Sequence, residues 1–198
     1  MEARATSTAE VIFKVLKQVG YNLSADVTKC LYTGLVTDTG CFRFAGVDAH
    51  TFMVAAEMLS PGIDSYEVTR HLYEEFPLSR MKLEKLMLDR METFLSGKLV
   101  VSTFFREDFH RLGADLSESE NLVNKLRQSR GVEVGVLMTQ MSDSLIRVSL
   151  RSKGQVDVSL IAGSLGGGGH RHAAGLKSSL PLVELKQRIV EATAAALR

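Results

Sequence analysis

Residues 166–175 read Gly-Gly-Gly-Gly-His-Arg-His-Ala-Ala-Gly. Four consecutive glycines are a poor helix or strand interior, because each loses more backbone entropy on ordering than any other residue. Such a run fits where backbone must approach a neighbour or ligand closely, or where successive N–H groups turn into one concavity. A concavity of that kind binds anions, phosphate above all. His170 and Arg171 follow at once and add side-chain donors. A flexible linker is the alternative, but linkers are diluted with Ser and do not close on His-x-x-Ala-Ala-Gly. The sequence predicts a phosphate-facing loop at Gly166, Gly167, Gly168, Gly169 and His170.

The remaining composition bounds the function classes. The chain has 198 residues, 45% hydrophobic and 24% charged, with a net charge of +1. This is an ordinary globular composition, without the basic field of many duplex-DNA binders. Cys30 and Cys41 form neither a C-x-x-C pair nor a disulfide framework, which predicts a reducing cytoplasmic setting. No apolar run approaches the ~18 residues of a membrane span, so no membrane partner is expected.

Ser7 and Glu10 read as a capping box opening a helix with Val11, Val15 and Val19, joined by Ile12 and Leu16, on its inner face. A second helix from Ser24 carries Val27, Leu31 and Leu35 and runs into the polar turn Thr37-Asp38-Thr39-Gly40. A third, capped by Asp48, carries Phe52, Ala55, Ala56 and Leu59. Asp64 and Glu67 open a fourth. Ser79 to Leu95 reads as one long helix with Leu83, Leu86, Met87, Met91 and Phe94 inside. Leu99 to Phe105 is strand-like, Glu118 to Arg130 helical, and Val132–Thr139 with Ile146, Val148 and Leu150 form a hairpin. A short helix through Val158, Ile161, Ala162 and Leu165 meets the glycine run, and Leu182–Leu197 closes the chain as an amphipathic helix.

Three stretches resemble the DHH superfamily of metal-dependent phosphoesterases: Tyr32-Thr33-Gly34-Leu35-Val36-Thr37-Asp38-Thr39-Gly40-Cys41-Phe42-Arg43-Phe44, Arg147-Val148-Ser149-Leu150-Arg151-Ser152-Lys153, and the glycine string. The first is similar to the last metal-site motif of the catalytic DHH domain. The other two are similar to the DHH-associated C-terminal domain. Their order is that of the nanoRNase branch, bifunctional oligoribonucleases that also dephosphorylate adenosine 3′,5′-bisphosphate. The resemblance implies an α/β fold in three parts: a C-terminal remnant of a parallel-sheet DHH domain (1–59), a helical connector (60–95) and a smaller mixed-sheet substrate-binding domain (96–198). The three earlier Asp- and His-rich motifs are missing, so the chain is expected to begin inside the catalytic domain. Apolar surface left exposed there would favour association, a homodimer included.

The same resemblance assigns the residues. Asp38 is the catalytic metal ligand of an intact two-Mn²⁺ site, which one carboxylate cannot complete; a turn-capping Asp is the alternative. Arg43 is a candidate phosphate contact or a solvated Arg. Arg151 offers a bidentate guanidinium, Ser152 a hydroxyl, and His170 an imidazole to the phosphate of a short single-stranded oligonucleotide or nucleotide. Two further readings stay open: a noncatalytic nucleotide- or RNA-binding module, as in the C-terminal region of alanyl-tRNA synthetases, and a cyclic-dinucleotide phosphodiesterase.

Overall fold

A computed structural model describes residues 5–197. The chain divides into two compact units, Met1–Phe76 and Pro77–Arg198. The described residues of the first unit are helical: α1 (Thr8–Gln18), α2 (Ala25–Asp38), α3 (Ala49–Leu59) and α4 (Ser65–Tyr73). Each starts where a short polar side chain takes up an orphan N–H. Ser7 Oγ accepts from Glu10 N at 3.0 Å, Ser24 caps α2, Asp48 and Thr51 form a reciprocal box on α3, and Asp64 accepts from Tyr66 and Glu67. The core is Phe13, Tyr32, Leu35, Val36, Val54, Ala55, Met58 and Val68.

The inner face of α1 is not the one its periodicity predicts. Val11, Ile12, Val15 and Val19 are exposed, and Phe13 and Glu10 turn inward. Glu10 supports only half the expected box: its carboxylate accepts from Thr6 N and Thr6 Oγ1, both at 2.9 Å, and from Lys14. On α3 the buried apolar residues are Val54, Ala55 and Met58, while Phe52 stays exposed and stacks on Phe42 at 5.1 Å.

The second unit begins with α5 (Leu78–Asp89) and continues β1 (Glu92–Phe94), β2 (Leu99–Phe104), α6 (Arg106–Leu112), a 3-10 turn at Leu116–Ser119, α7 (Val123–Leu126), β3 (Val134–Ser142), β4 (Leu145–Ser152), α8 (Val158–Ser164), β5 (Gly168–His170), β6 (Ala173–Ser178) and α9 (Leu182–Ala196). The six strands form one mixed sheet in the order β1-β2-β3-β4-β6-β5. Only β2 and β3 pair in parallel; the other pairs are antiparallel. On one face Val134, Val136, Val148 and Leu150 pack under α8 and α9. On the other, Val100, Phe104 and Leu137 pack under α5, α6 and α7.

Three expectations change. The long helix stops at Asp89, and Phe94 lies on β1. The segment 118–130 holds only the end of the 3-10 turn and the single turn α7, with Gly131 at positive φ. The stretch 60–95 is not a body of its own: Val68 of α4 joins the first core, and Leu83 and Met87 of α5 join the second unit. The β3–β4 hairpin, α8 and α9 form as expected.

Candidate functional site

Asp38 is the last residue of α2, at the helix end where carbonyl groups accumulate negative potential. The turn beyond it is capped by Thr39, whose Oγ1 donates to Leu35 O at 2.7 Å and accepts from Phe42 N at 3.1 Å. Asp38 is therefore not the turn cap. It is exposed, and among the described residues its carboxylate has no hydrogen bond or ion pair. It faces a cavity of about 320 Å³ shared with Thr6, Thr39, Phe44 and Val47.

The turn itself is strained. Gly40, Cys41 and Phe42 have φ of 57°, 58° and 59°, a left-handed conformation costing roughly 1–2 kcal/mol for each side-chain-bearing residue. Cys41 N bonding Val36 O at 2.7 Å, with Arg43 N and Phe44 N on Thr39 O, holds it. Gly40 is doubly required, since a Cβ there would lie 2.4 Å from the Phe44 ring. Arg43 Nε folds back onto Gly40 O at 2.7 Å, a bond within the turn. Gly34 lets α1 approach, its missing Cβ falling 3.0 Å from Ala9 Cβ.

The second unit gathers the remaining candidates on one sheet face. Strand alternation turns Ile146, Val148 and Leu150 inward and sets Arg147, Ser149 and Arg151 on the opposite face. Cross-strand partners share a face. Arg151 pairs with Ala173, which pairs with His170; Ser149 pairs with Gly175, which pairs with Gly168; Arg147 pairs with Lys177. Arg151 donates only to Leu150 O, at 3.0 Å, and has no carboxylate partner among the described residues. Burial first, and the nearby Arg127 charge second, push its guanidinium below the usual Arg range.

Arg127 is the residue that sequence reasoning missed. It caps the one-turn α7, and its Nη1 donates to Ser152 O at 2.6 Å. Gly135, the β3 partner of Arg151, brings it there: a Cβ on Gly135 would lie 3.0 Å from Arg127 N. A glycine in a buried strand opposite an Arg was the available signal.

Ser152 departs from expectation. It is fully buried on the opposite side of β4 from Arg151, and its hydroxyl lies 3.3 Å from both Arg171 O and His172 Nδ1. It fastens the β5–β6 turn, as does Ser152 N donating to His172 O. The glycine run is likewise no nest. Gly166 N and Gly167 N bond Gly163 O and Ala162 O, ending α8. Gly168–His170 then form the edge strand. Gly167 and Gly169 are small because β6 is close: Cβ atoms there would meet Gly175 O at 2.3 Å and Ala173 O at 2.6 Å. Gly166 and Gly168 meet nothing within 4 Å, and of these two only Gly166 needs its positive φ of 82°. The neighbouring N–H cradle of Gly154, Gln155 and Val156 is filled internally by Glu133 Oε1, at 2.9, 2.7 and 3.0 Å.

The described residues do not by themselves supply the donor set of a metal pair. Among the described residues no group of three or more His, Cys, Asp or Glu side chains could hold an ion. Asp38 would be one ligand. His50 and His71 are exposed, His71 beside Glu75 and His50 3.5 Å from Glu10. Among the described residues no helix is long and apolar enough to cross a membrane.

Comparison with known proteins gives these parts a family. The bifunctional oligoribonuclease and PAP phosphatase NrnA of Thermus thermophilus is 34% identical over 94% of this chain and 56% of its own length. The protein of the same name from Bacillus subtilis is 31% identical over 88% of the chain and 56% of its length. The chain thus spans little more than half of these relatives. A crystal structure of an exopolyphosphatase-related protein from Bacteroides fragilis superposes with a TM-score of 0.87 at 26% identity, covering 98% of this chain and 56% of that one. Residues 96–198, just over half of the chain, match the DHHA1 domain, and the chain belongs to the DHHA1-domain family.

Proposed function

We propose that this chain carries the substrate-holding part of a cytoplasmic, Mn²⁺-dependent DHH-type phosphoesterase. Its substrates are short single-stranded oligonucleotides and, by the same chemistry, adenosine 3′,5′-bisphosphate. The observation that carries the reading is the Arg151 end of the sheet face. A half-buried guanidinium without a carboxylate partner stands beside a second guanidinium, Arg127, and in one row with His170. The Arg151 guanidinium, poorly solvated and with no carboxylate partner among the described residues, favours an anionic ligand. A terminal phosphate supplies it and accepts bidentate bonds that Lys could not match. Asp38 belongs to the reaction centre, its carboxylate reserved from local hydrogen bonding, with the remaining metal ligands coming from outside the described residues.

Arg151→Ala is expected to weaken a 5′-phosphorylated dinucleotide by ~1–3 kcal/mol, the loss of charge-assisted bonds. Isothermal calorimetry measures it, and unchanged affinity removes Arg151 from the site. A second reading, binding without turnover, is supported by the described residues, among which no ligand cluster is found. Mn²⁺-dependent cleavage of the same dinucleotide by the chain would refute it. A cyclic-di-AMP phosphodiesterase from Listeria monocytogenes is 28% identical over 97% of the chain, so a cyclic dinucleotide belongs in the same assay.

A further inference from the structure

The sheet face does not end at Arg151. Two rows further along β4, Arg147 stands on the same face and pairs with Lys177 of β6. At 3.2–3.4 Å per residue, Arg147 lies about 13 Å from Arg151 along the strand. Between the two cationic rows runs a row of small residues, Ser149, Gly175 and Gly168, across three strands. The small side chain of Ser149 and the two glycines make this row the floor of a trough between two cationic rows, a positive rim at each end. None of its residues on β4, β6 or β5 is acidic.

Three observations at the far rim mark it as a place for an anion. Like charges directly opposite on neighbouring strands are destabilising, yet Arg147 and Lys177 are so placed. Neither has a carboxylate partner among the described residues, whereas Arg90, Arg111, Lys125 and Lys186 of the same unit each have one. Arg147 Nη2 donates to the neutral Ser119 Oγ at 2.9 Å, and its Nε is buried without any acceptor. A buried donor left unpaired is costly, and an arriving anionic acceptor relieves it.

From this we propose that Arg147 and Lys177 form a second phosphate subsite, occupied by an internucleotide phosphate of the strand whose terminal phosphate sits at Arg151. The inference rests on the reading of Arg151 given above. A mononucleotide reaches only the near rim, and a chain of three nucleotides reaches both. The trough thereby favours oligonucleotides over their products.

The test is calorimetric binding of AMP and of 5′-phosphorylated triadenylate, in EDTA so that nothing is hydrolysed, over a series of salt concentrations. Arg147→Gln and Lys177→Gln are the variants; Lys177 is exposed, so its replacement leaves the fold intact even if that of Arg147 does not. Each is expected to weaken the trinucleotide about tenfold, to lower the slope of log K against log salt by about 0.7, and to leave AMP unchanged. Lys177→Gln with an unaltered trinucleotide affinity and slope, or with an equal loss for AMP, overturns the subsite. Arg151→Ala failing to weaken AMP while Lys177→Gln still weakens the trinucleotide sinks the near-rim reading and keeps the far rim. Wild-type protein binding neither ligand sinks both.

Discussion

Adjacent glycines in the run 166–169 answer to different forces, and replacing them one at a time separates fold from ligand. At Gly167 a methyl would lie 2.3 Å from Gly175 O and 2.5 Å from Leu176 Cβ. The first is backbone of the paired strand and cannot rotate away, so β5 must lift from β6. Overpacking of this kind costs about 1–3 kcal/mol, or roughly 4 to 12 °C of melting temperature for a unit of this size. At Gly168 the methyl meets nothing and φ is ordinary. Gly168→Ala should leave stability unchanged or raise it by about 0.4–1 kcal/mol through the unfolded chain. The methyl would nevertheless stand on the trough floor and weaken oligonucleotide binding. All four tyrosines, 21, 32, 66 and 73, lie in the first unit, so tyrosine fluorescence ignores this perturbation. Amide hydrogen exchange of β6 reads it directly. Equal destabilisation by the two substitutions, or a Gly167→Ala protein as protected as wild type, would refute the argument.

Asp38→Asn removes a carboxylate from the negative end of α2 and should stabilise the first unit by ~0.3–1 kcal/mol, read as a higher urea midpoint of tyrosine fluorescence; a lower midpoint would show that the carboxylate has a local structural partner. In the second unit, burial alone would raise Asp108, but Arg90 on both carboxylate oxygens, Phe105 N at 2.8 Å and Arg111 outweigh it and hold its pKa below 3.8. A depressed folded pKa stabilises above the unfolded value, so this contribution persists at neutral pH and is lost as pH falls below 3.8 through the folded value. Asp108→Asn should cost about 2–3 kcal/mol at pH 7 and flatten that acid limb in urea titrations followed by exchange; an acid limb unchanged in the variant would assign it to other carboxylates.

Sequence periodicity located β2, β3 and β4, because β4 alternates around a true core and β3 is apolar on both faces; it missed β1, β5 and β6, which are short or rich in glycine and alanine. It placed α1 but mistook its inner face, because a stripe of valines looks inward on any helical wheel, whereas burial there is decided by Phe13 and by Glu10, which Thr6 and Lys14 make burial-tolerant. The segment 118–130 has helical apolar spacing, yet Asn121 at φ 63° breaks it into a 3-10 turn and one helical turn. Arg151 and His170 were legible from motif and do fall in one row. Arg147 and Lys177 were not, because only strand pairing makes residues 30 positions apart into neighbours. Ser152 was misread for the same reason: alternation sends consecutive residues of β4 to opposite faces.

Glu133 carries a further consequence. Its side chain occupies three N–H groups of the loop after β4, its carbonyl accepts from Lys153 N at 2.9 Å, and its own N–H donates to Lys98 O at 2.8 Å. One residue thus stitches the approaches to β2 and β3 to the exit of β4. The loop beside Arg151 is already ordered before any ligand arrives, so its entropy was surrendered during folding and not during recognition. The same carboxylate denies those amides to free anions. Inorganic phosphate in the medium has no backbone pocket to settle in at this loop.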